Sequence, residues 1–267
     1  MIITPYEGQL LIVLQPDHGT QTGLFAEAWG NEEVAPVEPN GASVRLAATH
    51  HDDGWAGWER RPTLDYSGRP VQFLELSPEE HIPLYRYGID RAAQHDPRTG
   101  LLVSMHGAGL YNSRYGTFQL TEQHFNDTEQ ALVDEFLNDM AALQTRLATR
   151  ARVHSVRRHV SEDLVVRHQY LLLQVWDRLS LQYLYRLAGD ARIAPLPGVG
   201  QRTDLICRRR GAFHLELDPF PFTVSSAVFP VRAAVVPDRQ YVTPEDFLEE
   251  LASAGSISLE CRASRAT

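Results

Sequence analysis

The residues best suited to chemistry form a run at positions 50–53, where two histidines precede two aspartates. The preceding residues 42–48 predict a helix, because they are good helix formers with apolar side chains at helical spacing. Neighbours on a helix point about 100° apart, so His51 and Asp52 would flank one edge and could bind a metal ion there. Imidazole and carboxylate ligands together favour Fe, Mn, Zn or Ni. A solvated helix end that Gly54 terminates is the alternative interpretation, since two residues do not complete a metal site.

Three further side chains would need a partner if they are buried. His18 lies in the first turn of a predicted helix, and His106 lies inside the apolar segment 101–110. Asp177 lies in a strongly apolar helix, where an unpaired carboxylate would be costly. A hydrogen-bond donor, a neighbouring arginine or a metal ion could satisfy it. By contrast, His95 lies among charged and loop residues, where we expect its side chain to be solvated.

Hydrophobic periodicity predicts a mainly α protein. Apolar residues recur at helical spacing through most of residues 15–190. Beyond residue 195 the pattern changes to short β-type runs broken by prolines, and residues 1–14 have a hairpin pattern. We therefore expect one domain, 1–267, whose helical core 15–190 carries the metal site. A small antiparallel sheet would form from the N-terminal hairpin and the strands of a β-rich appendage, 195–267.

Composition excludes several classes of function. The formal net charge is −9 at pH 7, which argues against a nucleic-acid partner. The chain contains no lysine, which excludes Schiff-base lysines and the lysine of a P-loop. Apolar runs are too short to span a bilayer, and the N-terminus lacks a signal-peptide pattern. We expect a cytoplasmic protein with a small-molecule substrate and no membrane partner; the oligomeric state stays open.

The order of the candidate residues resembles a known superfamily. His18, the pair His51-Asp52 and a distant Asp177 follow the ligand order of the HD superfamily of metal-dependent phosphohydrolases. The stretches at 15–18, 50–55 and 104–107 are similar to one uncharacterised bacterial family within it. That family resemblance covers roughly the whole chain, whereas the superfamily resemblance covers only the helical core. It implies an HD-type helical bundle with His18, His51, Asp52 and Asp177 as metal ligands.

The resemblance also bears on the number of metal ions. Members with two metals have additional histidines between the His-Asp pair and the final aspartate, and His81 and His106 occupy that interval here. We expect one or two divalent ions of Fe, Mn, Zn or Ni; for His81, an exposed position in a first helical turn is the alternative. The branch that cleaves cyclic dinucleotides has a lysine where this chain has Trp55, which argues against that substrate class.

The implied activity is metal-assisted hydrolysis of a phosphoester or related small molecule. A metal ion would lower the pKa of a bound water and polarise the phosphoryl oxygen. Asp52 could bridge two ions or orient the attacking water. Asp53 and His50 could orient the ligands or act as general acid or base.

Four side chains are candidates for contacting the substrate. Trp55, Trp58 and Tyr111 could form apolar walls of a pocket, although plain core packing also explains them. Arg178 could bind an anionic group of the substrate or pair with Asp177.

Two other functions use the same ligand types. A di-iron or mixed-metal oxygenase would need the same imidazoles and carboxylates, as would a sensor that binds a metal or ligand without turnover. The sequence leaves all three open.

Overall fold

A computed structural model describes residues 1–38, 40–112, 125–153, 162–185, 190–198 and 204–266. Within these ranges the helices are α1 Gln15–Ala28, α2 Gly41–His50, α3 Ala56–Glu59, α4 Pro78–His95, α5 Pro97–Gly109, α6 Asp127–Val153, α7 Glu162–Leu184 and α8 Pro244–Ala254. The strands are β1 Ile2–Tyr6, β2 Gln9–Val13, β3 Ala191–Ile193, β4 Leu205–Gly211, β5 His214–Asp218, β6 Ser226–Pro237 and β7 Ile257–Arg265. Short 3-10 helices cover Asp53–Trp55 and Phe73–Glu75.

Capping residues set the starts of the two helices that flank the site. The backbone N–H of Ser77 donates to the carboxylate of Glu80, and Pro78 takes the first position of α4. Asp96 caps α5 by accepting a hydrogen bond from the N–H of Thr99 at 2.8 Å. These local signals hold α4 and α5 as two separate helices that pack against each other.

The seven strands form one mixed sheet in the order β1-β2-β6-β7-β5-β4-β3, which curves into a half-barrel. Strand β2 pairs with β6 in antiparallel fashion and so joins the N-terminal hairpin to the C-terminal strands. Strand β7 lies between β6, to which it is antiparallel, and β5, to which it is parallel. The last strand of the chain is therefore central in the sheet.

The predicted fold class is wrong. The protein is not a mainly α, HD-type helical bundle with a small antiparallel sheet, because the sheet has seven strands and contains a parallel pair. Strand β4 was not predicted. Three of its seven residues are consecutive arginines, Arg208 to Arg210, so the second half of the strand lacks the apolar and β-branched residues typical of a strand. Strand pairing is also set by contacts between distant residues, which local periodicity does not show.

Helix α1 connects the sheet with the other helices. It contacts β6 of the sheet and also α2 and α7. The ring of Phe25 packs on the sheet side, with its centroid 4.7 Å from that of Phe229 and 6.1 Å from that of Phe222. The site residue His18 lies on the same helix, so α1 carries both a site residue and the aromatic contact with the sheet.

Glycines allow α1 and α2 to approach closely. A Cβ atom at Gly19 would lie 2.5 Å from the carbonyl oxygen of Thr49, and one at Gly23 would lie 2.1 Å from its Oγ1. Both distances are far below van der Waals contact, so a side chain at either position would push the helices apart. The absence of these side chains brings His18 next to His51, with ring centroids 5.2 Å apart.

In the described ranges, the helices are all too short or too polar to cross a membrane.

Candidate metal centre

Four segments of the fold bring five side chains together around His51. His18 comes from α1, His51 and Asp52 from the turn that follows α2, His106 from α5 and Asp177 from α7. Each of these residues is at most 5% exposed. The structure thus brings together five of the six residues that the sequence suggests as metal ligands.

The donor atoms of four residues form a closed ring. Nε2 of His18 lies 2.9 Å from Oδ1 of Asp177, which lies 3.7 Å from Nε2 of His51. Nε2 of His51 lies 3.3 Å from Oδ2 of Asp52, which lies 3.9 Å from Nε2 of His18. A metal ion with bonds of about 2.1 Å places neighbouring ligand atoms roughly 3.0–3.4 Å apart. The observed spacings surround this range, so small side-chain shifts would complete a coordination sphere.

The ring of His51 is oriented for metal binding by its own backbone. Its Nδ1 lies 2.8 Å from the carbonyl oxygen of Ala48. A carbonyl oxygen only accepts hydrogen bonds, so Nδ1 carries the proton and Nε2 presents a lone pair in the neutral ring. Nε2 is buried and makes no hydrogen bond within the described part of the chain. In a neutral ring this buried acceptor would be costly without a partner; a proton facing Asp52 and Asp177, or a metal ion in its place, provides one.

Asp52 lies outside helix α2, which corrects the geometry expected from the sequence. Helix α2 ends at His50, and Asp52 has φ −113° and ψ 16°, values that break the helical path. The hydroxyl of Tyr85 donates to Oδ1 of Asp52 at 2.8 Å. Oδ2 faces the histidines instead. The two oxygens of Asp52 therefore have different partners, and only one points toward the donor ring.

Opposite effects act on the pKa values of the site. Burial disfavours the charged form of His51, but Asp52 and Asp177 outweigh it and hold the pKa of His51 well above its usual value. The same burial would raise the pKa of Asp52, yet the charge of His51 lowers it on balance. For His106, burial lowers the pKa to about 4, and the charge of His51 adds to this. His106 is therefore neutral near pH 7, as a metal ligand must be.

A protein-family model matches residues 1–238, which include all five side chains of the site. The chain belongs to the DUF3891 family. The model describes its members as proteins of unknown function, so the expected membership of an uncharacterised family is confirmed at this level. The comparisons contain no link to the HD superfamily. Searches of the curated proteins and of the solved structures find no match.

The sixth suggested ligand of this DUF3891 protein, His81, packs among aromatic side chains, including Tyr85, which contacts Asp52. Its Nδ1 lies 2.6 Å from the hydroxyl oxygen of Tyr111, and its ring centroid lies 4.7 Å from that of Tyr85. Burial lowers the pKa of His81 to about 4. His81 is absent from both groups of potential metal ligands found in the described residues. The ring of Tyr85 packs against those of both His81 and His106.

The suggested general acids or bases, His50 and Asp53, form a pair of their own. Nδ1 of His50 lies 2.9 Å from Oδ2 of Asp53, and their side chains are 44% and 32% exposed. This hydrogen bond raises the pKa of His50. Neither residue belongs to the groups of potential ligands among the described residues.

The suggested substrate contacts are mainly packing residues. Trp55 is 1% exposed, and its ring contacts those of Trp58 and His81. Tyr111 packs against Phe136 in addition to its contact with His81.

Arg178 is fully buried, and its guanidinium donates to the carbonyl oxygens of Gln174 at 2.9 Å and of Ala194 at 2.6 Å. The bond to Ala194 ties α7 to the segment after β3. The structure thereby gives Arg178 a role in holding the backbone.

Tyr85 and Ser180 were missed by sequence reasoning. Tyr85 contacts Asp52, and the hydroxyl of Ser180 lies 2.7 Å from Nδ1 of His18. Ser180 is three residues after Asp177, and residues three apart share a helix face, so this spacing could have identified it. Tyr85 has no comparable signal, because it joins Asp52 only through the packing of α4 against the 3-10 helix that follows Asp52.

Proposed function

We propose that this protein is a metal-dependent hydrolase acting on a phosphoester or related small molecule. The observation that carries the proposal is the buried ring of donor atoms from His18, His51, Asp52 and Asp177, with spacings of 2.9–3.9 Å. Two carboxylates and two imidazoles face one another here, and His106 adds a third imidazole beside His51 and Asp52. A divalent cation accounts for all of them.

Charge supports a cation in this position. Asp52 and Asp177 are both nearly fully buried and both face the same histidines. Two buried carboxylates that face the same histidines are costly unless a positive charge lies between them. Imidazole ligands favour Fe, Mn, Zn or Ni over Ca or Mg.

The geometry favours a site that holds one metal ion. The two groups of potential ligands, His18-His51-Asp177 and His51-Asp52-His106, share His51. The single lone pair on Nε2 of that ring binds only one ion. A bridging carboxylate would use both oxygens of Asp52, but Oδ1 already accepts the hydroxyl of Tyr85. His106 therefore serves best as a fifth ligand or as a neutral side chain facing the substrate.

The assignment to phosphoesters rests on ligand order. His18, then His51-Asp52, then Asp177 resembles the order of metal ligands in HD phosphohydrolases. This resemblance concerns the ligand residues and does not extend to the whole fold, in which a seven-stranded mixed sheet supports α1. The ligand order supports a phosphoester substrate, and the enclosed position of the ligands favours a small one.

The protein's own residues would position and protect the reaction. A divalent metal ion bound here would polarise a phosphoryl oxygen and lower the pKa of water. The hydroxyl of Tyr85 holds Asp52 so that Oδ2 faces the site. Burial of the ligands keeps bulk water away and strengthens their electrostatic effect.

The test measures hydrolysis of p-nitrophenyl phosphate and bis(p-nitrophenyl) phosphate by protein reconstituted with Mn²⁺, Fe²⁺, Zn²⁺ or Ni²⁺. We expect turnover with at least one metal and its loss in Asp177→Asn, while the variant of the exposed His95, His95→Ala, keeps full activity. Stoichiometric metal binding without hydrolysis of either compound would contradict the phosphoester assignment. Oxygen consumption by the iron form in that case would support an oxygenase instead.

A further inference from the structure

A chain of three buried hydrogen bonds connects the sheet with the ring of His18. Nε2 of Gln21 donates to the carbonyl oxygen of Phe229 in β6 at 3.1 Å. The hydroxyl of Ser180 donates to Oε1 of Gln21 at 2.6 Å, and Nδ1 of His18 lies 2.7 Å from that hydroxyl oxygen. Gln21 and Ser180 are 0% exposed and His18 is 1% exposed, so bulk water does not compete for these hydrogen bonds.

The donor and acceptor of each of the three hydrogen bonds follow from the backbone carbonyl of Phe229 at one end of the chain. The carbonyl oxygen of Phe229 only accepts, so the amide nitrogen of Gln21 must face it. The amide oxygen of Gln21 then faces Ser180 and also only accepts, so it takes the single hydroxyl proton of Ser180. The hydroxyl oxygen is left to accept from His18, which requires a proton on Nδ1 of that ring. Nε2, which lies 2.9 Å from Oδ1 of Asp177, is then the nitrogen available to a metal ion.

We propose that Gln21 and Ser180 are positioning residues that fix the tautomer and orientation of His18 for metal binding. This inference rests on the proposed metal centre and deepens it. His51 obtains the same tautomer from the carbonyl oxygen of Ala48, three residues earlier in the chain. His18 obtains it from strand β6 through two side chains, so metal binding depends on the contact between α1, α7 and the sheet.

The first test compares two serine-to-alanine variants that differ only in their place. Ser180→Ala removes the hydroxyl that accepts from His18. Ser104→Ala is the matched control, because Ser104 is also 0% exposed and its hydroxyl donates to the carbonyl oxygen of Leu101 within α5. We expect the Zn²⁺ affinity to fall about 10- to 100-fold in Ser180→Ala and to stay within about threefold in Ser104→Ala. Equal affinities in folded samples of both variants would overturn the proposal.

A second pair of variants separates the hydrogen bonds from packing at Gln21. Gln21→Met keeps the length of the side chain but offers no acceptor oxygen, so we expect a loss of affinity similar to that of Ser180→Ala. Gln21→Glu, neutral when buried, can donate one O–H to Phe229 and accept from Ser180, so it should retain affinity near that of the wild type. Retained affinity in Gln21→Met would contradict the proposed chain.

A spectroscopic readout separates this inference from the metal centre itself. Long-range ¹H–¹⁵N spectra of the folded wild type, with and without Zn²⁺, report which nitrogen of His18 carries a proton. We expect a proton on Nδ1 in both samples. A proton only on Nε2 would overturn the chain even if Zn²⁺ binds. A protonated Nδ1 in protein that takes up no Zn²⁺ would keep the chain and contradict the metal centre.

Discussion

Nε2 of His18 and Oδ1 of Asp177 lie 2.9 Å apart, although 159 residues separate them in the sequence. This contact joins α1 to α7, and His51 and Asp52 lie next to it. Two chain segments this distant in sequence meet with hydrogen-bond geometry only if packing elsewhere positions both helices. Changes to that packing, or to the side chains that orient the ligands, should therefore alter metal binding.

Tyr85→Phe should weaken metal binding without affecting the fold as a whole. It removes the hydrogen bond to Oδ1 of Asp52, which frees the carboxylate to rotate and leaves a buried oxygen unsatisfied. We expect a loss of about 10- to 100-fold in metal affinity and about 1–3 kcal/mol of stability. Tyr87→Phe is the control on the same helix, because Tyr87 is 54% exposed. Titration calorimetry with Zn²⁺ measures the difference, and equal affinities would rule out an orienting role for Tyr85.

Gly19→Ala should separate α1 from α2. The added Cβ would lie 2.5 Å from the carbonyl oxygen of Thr49, and backbone atoms can give way only if the helices move. We expect a loss of about 1–3 kcal/mol in the free energy of unfolding together with weaker metal binding, because His18 moves with α1. Gly57→Ala is the control, since a Cβ atom there would have no neighbour within 4 Å in the described part of the chain. Denaturant unfolding of both variants checks this, and matching midpoints would show that the α1–α2 contact tolerates the change.

Much of the helical framework follows from local sequence. The cap at Ser77 and the apolar spacing before Leu184 predict α4 and α7 closely. The cost of burying an unpaired carboxylate in an apolar helix is enough to single out Asp177 as a residue that needs a partner. The arrangement of the sheet does not follow, because pairing of β7 with β5 and β6 depends on residues far apart in sequence. The hydrogen bonds from Tyr85 to Asp52 and from Ser180 to Gln21 likewise join residues far apart in sequence, so their partners do not follow from local sequence.

The C-terminal strand should be essential for folding although it lies beyond the family match. Strand β7 lies between β5 and β6 and buries Cys261 and Ala263 completely, whereas the family model ends at residue 238. A protein that ends at Ser256 loses both ladders and exposes two neighbouring strand edges. We expect it to be insoluble or to lack a cooperative unfolding transition. A protein that ends at Arg265 keeps β7 and should unfold cooperatively; the same transition in the shorter protein would contradict the central role of β7.

Acid should destabilise the metal-free protein through His81. Burial lowers the pKa of His81 to about 4 in the folded protein, while an unfolded histidine titrates near 6.5. Between these values the unfolded state binds more protons, so stability is full above about pH 6.5 and declines as the pH falls toward 4. The loss is at most about 3 kcal/mol. Denaturant unfolding at pH 7 and 4.5 should show a smaller loss for His81→Gln than for the wild type. Identical losses would contradict the buried, neutral state of His81.

The most direct test of the metal centre is the metal content of protein purified without chelators and then dialysed against Mn²⁺, Fe²⁺ or Zn²⁺. We expect about one tightly bound ion per chain in the wild type and in His95→Ala, since one ring of donor atoms surrounds one position. Asp52→Ala should bind essentially none, because it removes one ligand and half of the negative charge. Elemental analysis of the three proteins side by side measures the number of metal ions bound per chain. Equal metal content in the wild type and Asp52→Ala, or no metal in either, would contradict a centre formed by His18, His51, Asp52 and Asp177.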